Sequence, residues 1–271
     1  MLRIRVITAV VLLAVLLPAL FLLPQAGWGV FVAAVAGVGA WEWGAFMQAG
    51  PRLRVGLGLV LSATCLALLA FFPQWFGALG YPFTPFGSIA LHAPAALFWL
   101  LLVPFWLRCK WRLTGVPGVM VGFLVLLPAW AALVQLRTLG PWPLLAILAL
   151  VWVADSAAYF FGSHFGRHKL AVTISPGKTW EGALGAAATV LVYGLVMRQV
   201  FGLHHSPLWL WLLGLPVMTA LSIVGDLFES LLKRQVGLKD SSNILPGHGG
   251  VLDRIDSQTS TLPLLMLALI L

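Results

Sequence analysis

Residues Ser230–Asp256 read SLLKRQVGLKDSSNILPGHGGVLDRID. The stretch lies between two apolar runs, Leu208–Leu232 and Gln258–Leu271. It carries Lys233, Arg234, Lys239, Asp240, His248, Asp253, Arg254 and Asp256, and two further acids, Asp226 and Glu229, lie just upstream. The whole chain has only eight acidic residues, so this crowding marks a reactive loop between hydrophobic helices. Carboxylate oxygens can hold a hard cation, while Lys and Arg can bind phosphate oxygens. Gly247, Gly249 and Gly250 let backbone N–H groups approach an anion with no Cβ in the way.

Composition sets the class. The chain is 61% hydrophobic and 9% charged, against about 25% charged in a soluble domain, and its mean hydropathy is +1.00. These values describe an all-α polytopic membrane protein. The net charge of +8 then points to loops facing anionic lipid and an anionic substrate rather than to nucleic acid. Cys65 and Cys109 supply neither a disulfide framework nor metal-site spacing. The 13 Trp suit a chain that meets two membrane interfaces.

Outward from the loop, apolar runs predict about nine transmembrane helices: Val6–Leu23, Trp28–Met47, Val55–Phe72, Ile89–Leu107, Val116–Leu136, Pro143–Gly162, Gly182–Phe201, Leu208–Leu232 and Gln258–Leu271. The last is the weakest. Its 14 residues reach about 21 Å across a core of about 30 Å, so it must start earlier, tilt little or extend further. The first has the basic start of a signal peptide, but its apolar run is too long and lacks a clear cleavage site, so it is read as a retained span. Pro73–Ser88, aromatic and without a basic residue, is read as an external interfacial segment.

Loop charge orients the spans. Arg3 and Arg5, Arg52 and Arg54, Arg108, Lys110 and Arg112, Arg167, Lys169 and Lys178, and Lys233, Arg234, Lys239 and Arg254 all fall on one side, leaving Arg137 and Arg198 on the other. The positive-inside rule makes the N-terminus and the even-numbered loops cytoplasmic. Residues 1–150 read as a transmembrane scaffold of spans one to five. Residues 151–271 read as the catalytic half, with cytoplasmic loops 163–181 and 233–256.

Membrane-depth carboxylates are costly and need a partner, a cavity or an ion. Asp226 and Glu229 share a helix face at i and i+3. No basic residue in the spans is placed to neutralise Asp226, which favours a bound cation there. Asp155 is read either as a functional acid or as a protonated interhelical hydrogen-bonder. Glu42, alone among aromatics, is read as a structural hydrogen-bonder outside catalysis. Ser175-Pro176-Gly177-Lys178-Thr179 reads as a tight turn before a helix, a reasonable anion site. Glu181 is read as a helix cap or a site residue. His164 and His168 lack a third ligand and are read as loop histidines. One His and no Cys near the main loop argue against zinc and for Mg²⁺ or a similar hard cation.

At this point the residues resemble the phosphatidate cytidylyltransferase (CDP-diacylglycerol synthase) family. Ser230, Lys233, Arg234, Lys239, Asp240, Ser242, Pro246, His248, Gly249, Gly250, Asp253, Arg254 and Asp256 fill every position of its signature. Residues 175–182 and the Gly225–Ser230 segment are similar to it as well. The resemblance covers about residues 150–260.

It implies transfer of CMP from CTP to phosphatidic acid, giving CDP-diacylglycerol and pyrophosphate for phospholipid biosynthesis, in the cell's inner membrane with the site facing the cytoplasm. It also implies a homodimer with Mg²⁺ and a second cation such as K⁺. Asp226 and Asp253 would hold Mg²⁺, supported by Glu229, Asp240 and Asp256. Lys233 and Arg254 would act at the reacting phosphates. Ser175, Lys178, Thr179, Arg234, Lys239, His248, Gly249 and Gly250 would bind substrate. Two alternatives stand beside it: an enzyme acting on another lipid phosphate, such as an ether-linked one, and a cation-coupled transporter. The sequence shows no related halves of the kind a transporter would carry.

Overall fold

The computed structural model describes residues 2–271. Among these it has nine helices: α1 (Leu2–Leu22), α2 (Gln25–Phe46), α3 (Pro51–Phe71), α4 (Phe86–Cys109), α5 (Gly115–Leu136), α6 (Pro141–Phe165), α7 (Trp180–Val200), α8 (Leu208–Gln235) and α9 (Leu252–Ile270). The first eight are long and apolar enough to span a membrane. Helix is the form such segments take because lipid offers no partners for unpaired backbone groups. Proline opens α3 and α6, at Pro51 and Pro141, where its missing N–H costs nothing. Each of the eight expected spans before the last lies on one of these helices.

The ninth begins six residues before its expected start, at Leu252. Its 19 residues give a length of about 28 Å. Hydropathy hid its first six residues, because Asp253, Arg254 and Asp256 are charged and read as loop, and the polar run Ser257, Gln258, Thr259, Ser260 and Thr261 that follows weakened the rest. All five are buried in the bundle rather than exposed to lipid. Helix α9 packs against α8, α4 and α5. Its contact with α8 is close: the Ser260 hydroxyl donates to the Leu221 carbonyl at 2.8 Å and the Ser257 hydroxyl to the Ser222 carbonyl at 3.3 Å. Small and hydroxyl residues at a helix seam are what association within lipid selects.

The all-α expectation holds apart from one hairpin. Lys169–Ala171 (β1) pairs antiparallel with Ser175–Thr179 (β2). The expected turn at Ser175–Thr179 is therefore a strand, and the turn itself is Val172–Ile174. Thr179 caps α7, its hydroxyl accepting from Gly182 N at 3.1 Å. The Glu181 carboxylate instead reaches back to the entry of the hairpin, accepting from Arg167 N and His168 N and pairing with His168 Nδ1 at 2.7 Å.

The basic loops meet on one face. Thr8 donates to the Pro246 carbonyl at 2.8 Å, Lys110 Nζ to the Thr173 hydroxyl at 3.0 Å, and Gln235 to the Lys110 carbonyl at 2.9 Å. At the opposite end Arg137 ties the α1–α2 turn through the Leu20 and Leu23 carbonyls. Below the basic face, Phe98, Trp99 and Trp106 of α4 surround Phe228 of α8 edge-on, with centroids 5.5–5.7 Å away. A π-helical turn at Phe98–Leu102 sets the rings of α4 against Phe228. This cluster anchors the α8 turn that carries Asp226 and Glu229.

Candidate active site

A cavity of about 510 Å³ opens among α6, α7, α8, the hairpin and the start of α9. Five of the chain's eight carboxylates line it: Asp155, Asp226, Asp240, Asp253 and Asp256. So do three bases, Lys178, Lys233 and Arg254. Thr179 also reaches it, and Ser175 stands at the far end of the same strand.

The structure corrects the expectation that Asp226 lacks a base. Lys178 Nζ lies 2.5 Å from Asp226 Oδ2, both side chains partly exposed. The base comes from β2, in the hairpin folded over the bundle and outside the apolar spans. Asp226 also accepts from the Ser230 hydroxyl at 3.1 Å.

Lys233 is buried between two carboxylates. Its Nζ is 2.5 Å from Asp253 Oδ1 and 3.1 Å from Glu229 Oε1. Glu229 is thus Lys233's partner and lies outside the cavity wall. Asp253 Oδ2 accepts from Ser241 N, Gly250 N and the Ser241 hydroxyl at 2.8–2.9 Å. The glycine turn therefore does not keep Gly250 N free for a substrate anion; that N–H serves a carboxylate of the chain itself. Gly250 has no room for a side chain, because a Cβ would meet the Ser241 hydroxyl and the Glu42 carboxylate. At Gly249 a Cβ would sit 2.6 Å from Asp253 Oδ2, and its φ is +82°.

Arg254 lines the cavity and, among the described residues, has no carboxylate within salt-bridge distance. Arg234, in the last turn of α8, and Lys239, in the loop after it, are exposed, and Arg234 donates to the Leu238 carbonyl. His248 is half-buried with no partner on Nδ1.

Sequence reasoning missed the reach of Glu42. This fully buried α2 carboxylate accepts from the Ser241 and Ser242 hydroxyls and from Val251 N and Leu252 N. It is the structural hydrogen-bonder expected, with its partners on the signature loop.

The donor set fits a hard divalent cation. Its ligand atoms are carboxylate oxygens, and the cavity's formal charge is negative before any substrate enters. Among the described residues no three acid, imidazole or thiolate groups form a ready-made cage. Mg²⁺ takes one or two carboxylates and completes its shell with water and substrate phosphate.

An apolar bundle that concentrates most of its carboxylates in one cavity under a basic face is an integral membrane protein built around an ionic site. The chain belongs to the cytidylyltransferase family, which it matches over residues 3–271. It is 42% identical to a Pseudomonas aeruginosa protein named phosphatidate cytidylyltransferase, across 97% of this chain and 95% of that one. A Haemophilus influenzae protein of the same name is 37% identical across 97% of this chain and 96% of its own length. A third, from Staphylococcus epidermidis, is 45% identical over 136 residues, half of this chain.

Proposed function

We propose that this protein is a membrane CTP:phosphatidate cytidylyltransferase, working with Mg²⁺ at the carboxylate-lined cavity. The observation that carries the site assignment is the convergence of Asp226, Asp253 and Asp256 with the unpaired Arg254 in one cavity. Family membership and the two near full-length relatives support the reaction. A phosphatidate phosphate oxygen attacks the α-phosphorus of CTP. The new P–O bond forms as the bond to the α,β-bridging oxygen breaks, and pyrophosphate leaves. A phosphate is already ionised at neutral pH, so no general base is required, and rate rests on positioning and charge neutralisation.

Asp226 and Asp253 would hold the cation, with Asp256 supporting them from the same cavity. Asp253 Oδ1 carries only Lys233 and keeps a lone pair to give. When bound, the cation offsets charge on the triphosphate and the leaving pyrophosphate. Asp240 lies at the rim, and Glu229 holds Lys233 in place. Lys178 pairs with Asp226 and is free to turn to phosphate once Asp226 takes another partner. Arg254 would grip a phosphate through two N–H groups. Tyr159 lines the cavity yet is 79% exposed on α6. That opening supports entry of the lipid phosphate with its acyl chains left in the bilayer. The homodimer and a second cation such as K⁺ belong to the same proposal.

The test is purified protein in detergent with CTP, Mg²⁺ and a choice of lipids. Phosphatidate should yield CDP-diacylglycerol, and diacylglycerol should yield nothing. Faster turnover of an ether-linked lipid phosphate would replace the substrate. Arg254→Lys should fold normally and lose about tenfold or more in kcat/KM, because Lys cannot reproduce a bidentate grip worth roughly 1.5–3 kcal/mol. Wild-type turnover in that variant would remove Arg254 from the site.

The same proposal places the basic face in the cytoplasm and the protein in the inner membrane, as loop charge supports. Single cysteines at Asn243 and His204, both exposed, should react with an impermeant reagent from opposite sides of the membrane. Labelling of both from one side would contradict the orientation.

A further inference from the structure

We infer that Glu42 is a positioning residue for the reaction, setting the cavity carboxylate Asp253 from the far side of the signature loop. The inference rests on the function proposed above. Helix α9 begins with a deficit. Its first N–H groups have no partner within the helix, and the residue before it, Val251, has no side-chain acceptor. Glu42 makes up the deficit from another span. Its Oε1 accepts from Val251 N at 2.9 Å and its Oε2 from Leu252 N at 2.7 Å. A carboxylate at a helix N-terminus also meets the favourable end of the helix dipole. The Ser242 hydroxyl adds a 2.6 Å bond to Oε1.

The fourth contact carries the argument. The Ser241 hydroxyl lies 3.1 Å from Glu42 Oε2 and 2.9 Å from Asp253 Oδ2. Two carboxylates therefore clasp residues 241–252 from opposite sides and share one hydroxyl between them. Asp253 in turn holds Lys233 at 2.5 Å. A continuous line of contacts runs from α2, through Ser241, to the cavity. Glu42 is fully buried and does not line the cavity, so it touches no substrate and acts only through its neighbours. The absent Cβ at Gly250 is what lets Glu42 and Ser241 approach the turn.

Glu42→Gln keeps the shape but turns an amide N–H₂ toward N–H donors. Ser241→Ala leaves the Val251, Leu252 and Ser242 contacts intact and cuts only the shared hydroxyl. Each variant is measured for unfolding midpoint, kcat per folded molecule and KM for CTP. Ser241→Ala should lower the midpoint by no more than one hydrogen bond and lose kcat per folded molecule by about threefold or more, the same scale. Glu42→Gln should lose about tenfold or more in kcat, with KM for CTP changing far less. The double variant should be within about twofold of Glu42→Gln alone, because the two act along one line.

A lowered midpoint with wild-type kcat per folded molecule would make Glu42 purely structural and overturn the inference. If Glu42→Gln does not fold, wild-type kcat in Ser241→Ala overturns it alone. A wild-type protein without turnover sinks the proposed function, and this inference with it. An active wild type with unaffected variants sinks only the role of Glu42.

Discussion

Lys233→Met is expected to lower stability by about 3–5 kcal/mol, the cost of removing one partner from a buried ion pair. Lys233 is 7% exposed and stands between Glu229 and Asp253. Without its ammonium, two carboxylates face each other's field in the bundle with no base between them. Met fills the aliphatic space, so the loss is electrostatic rather than a cavity. Activity should fall as well, because Asp253 loses the contact on Oδ1. Adding Glu229→Gln should recover part of the stability by removing one stranded charge, but not the activity. Chemical or thermal unfolding in detergent reads the first effect. A wild-type midpoint for Lys233→Met would show that the buried pair does not hold the site.

The second large effect is at Asp226. Asp226→Asn should fold with nearly the wild-type midpoint. Its partner Lys178 is partly exposed, and such pairs contribute about 0–1 kcal/mol. Turnover should fall by about a hundredfold or more, or need much more Mg²⁺, since a cation supplies several kcal/mol of charge stabilisation. Asp253→Asn should behave alike in Mg²⁺ dependence. The two losses should not add, because either alone removes the cation. A Mg²⁺ titration of both singles and the double reads this. Wild-type rate and Mg²⁺ dependence in both singles would remove the shared cation. Unfolding of Asp226→Asn would make that residue structural.

The spans were legible because lipid demands long apolar helices, and loop charge grouped their ends on one face. The signature loop was legible because chemistry needs its residues close in sequence. What escaped was interior. The start of helix α9 at Leu252 was missed because Asp253, Arg254 and Asp256 face the cavity from its first turns, and hydropathy cannot tell such a face from a loop. Lys178 reaches Asp226 only once a hairpin folds over the bundle, a strand pairing that five residues of turn-like composition do not announce. Glu42 gave half a signal: an acid in an apolar span must find donors. The other half was Val251, a helix start with no cap of its own. Joining them required knowing that α2 lies beside the start of α9.

The central claim is transfer of CMP from CTP to phosphatidate at the carboxylate cavity. The most direct measurement follows both ends of the nucleotide in one reaction. CTP labelled at the α-phosphorus and CTP labelled at the γ-phosphorus are each given to purified protein with phosphatidate and Mg²⁺. The α-label should pass into the lipid fraction as CDP-diacylglycerol and the γ-label should leave in pyrophosphate, in equal amounts, with both lost in Asp226→Asn. γ-Label in the lipid, or α-label released as free CMP or CDP with none in lipid, would contradict the account.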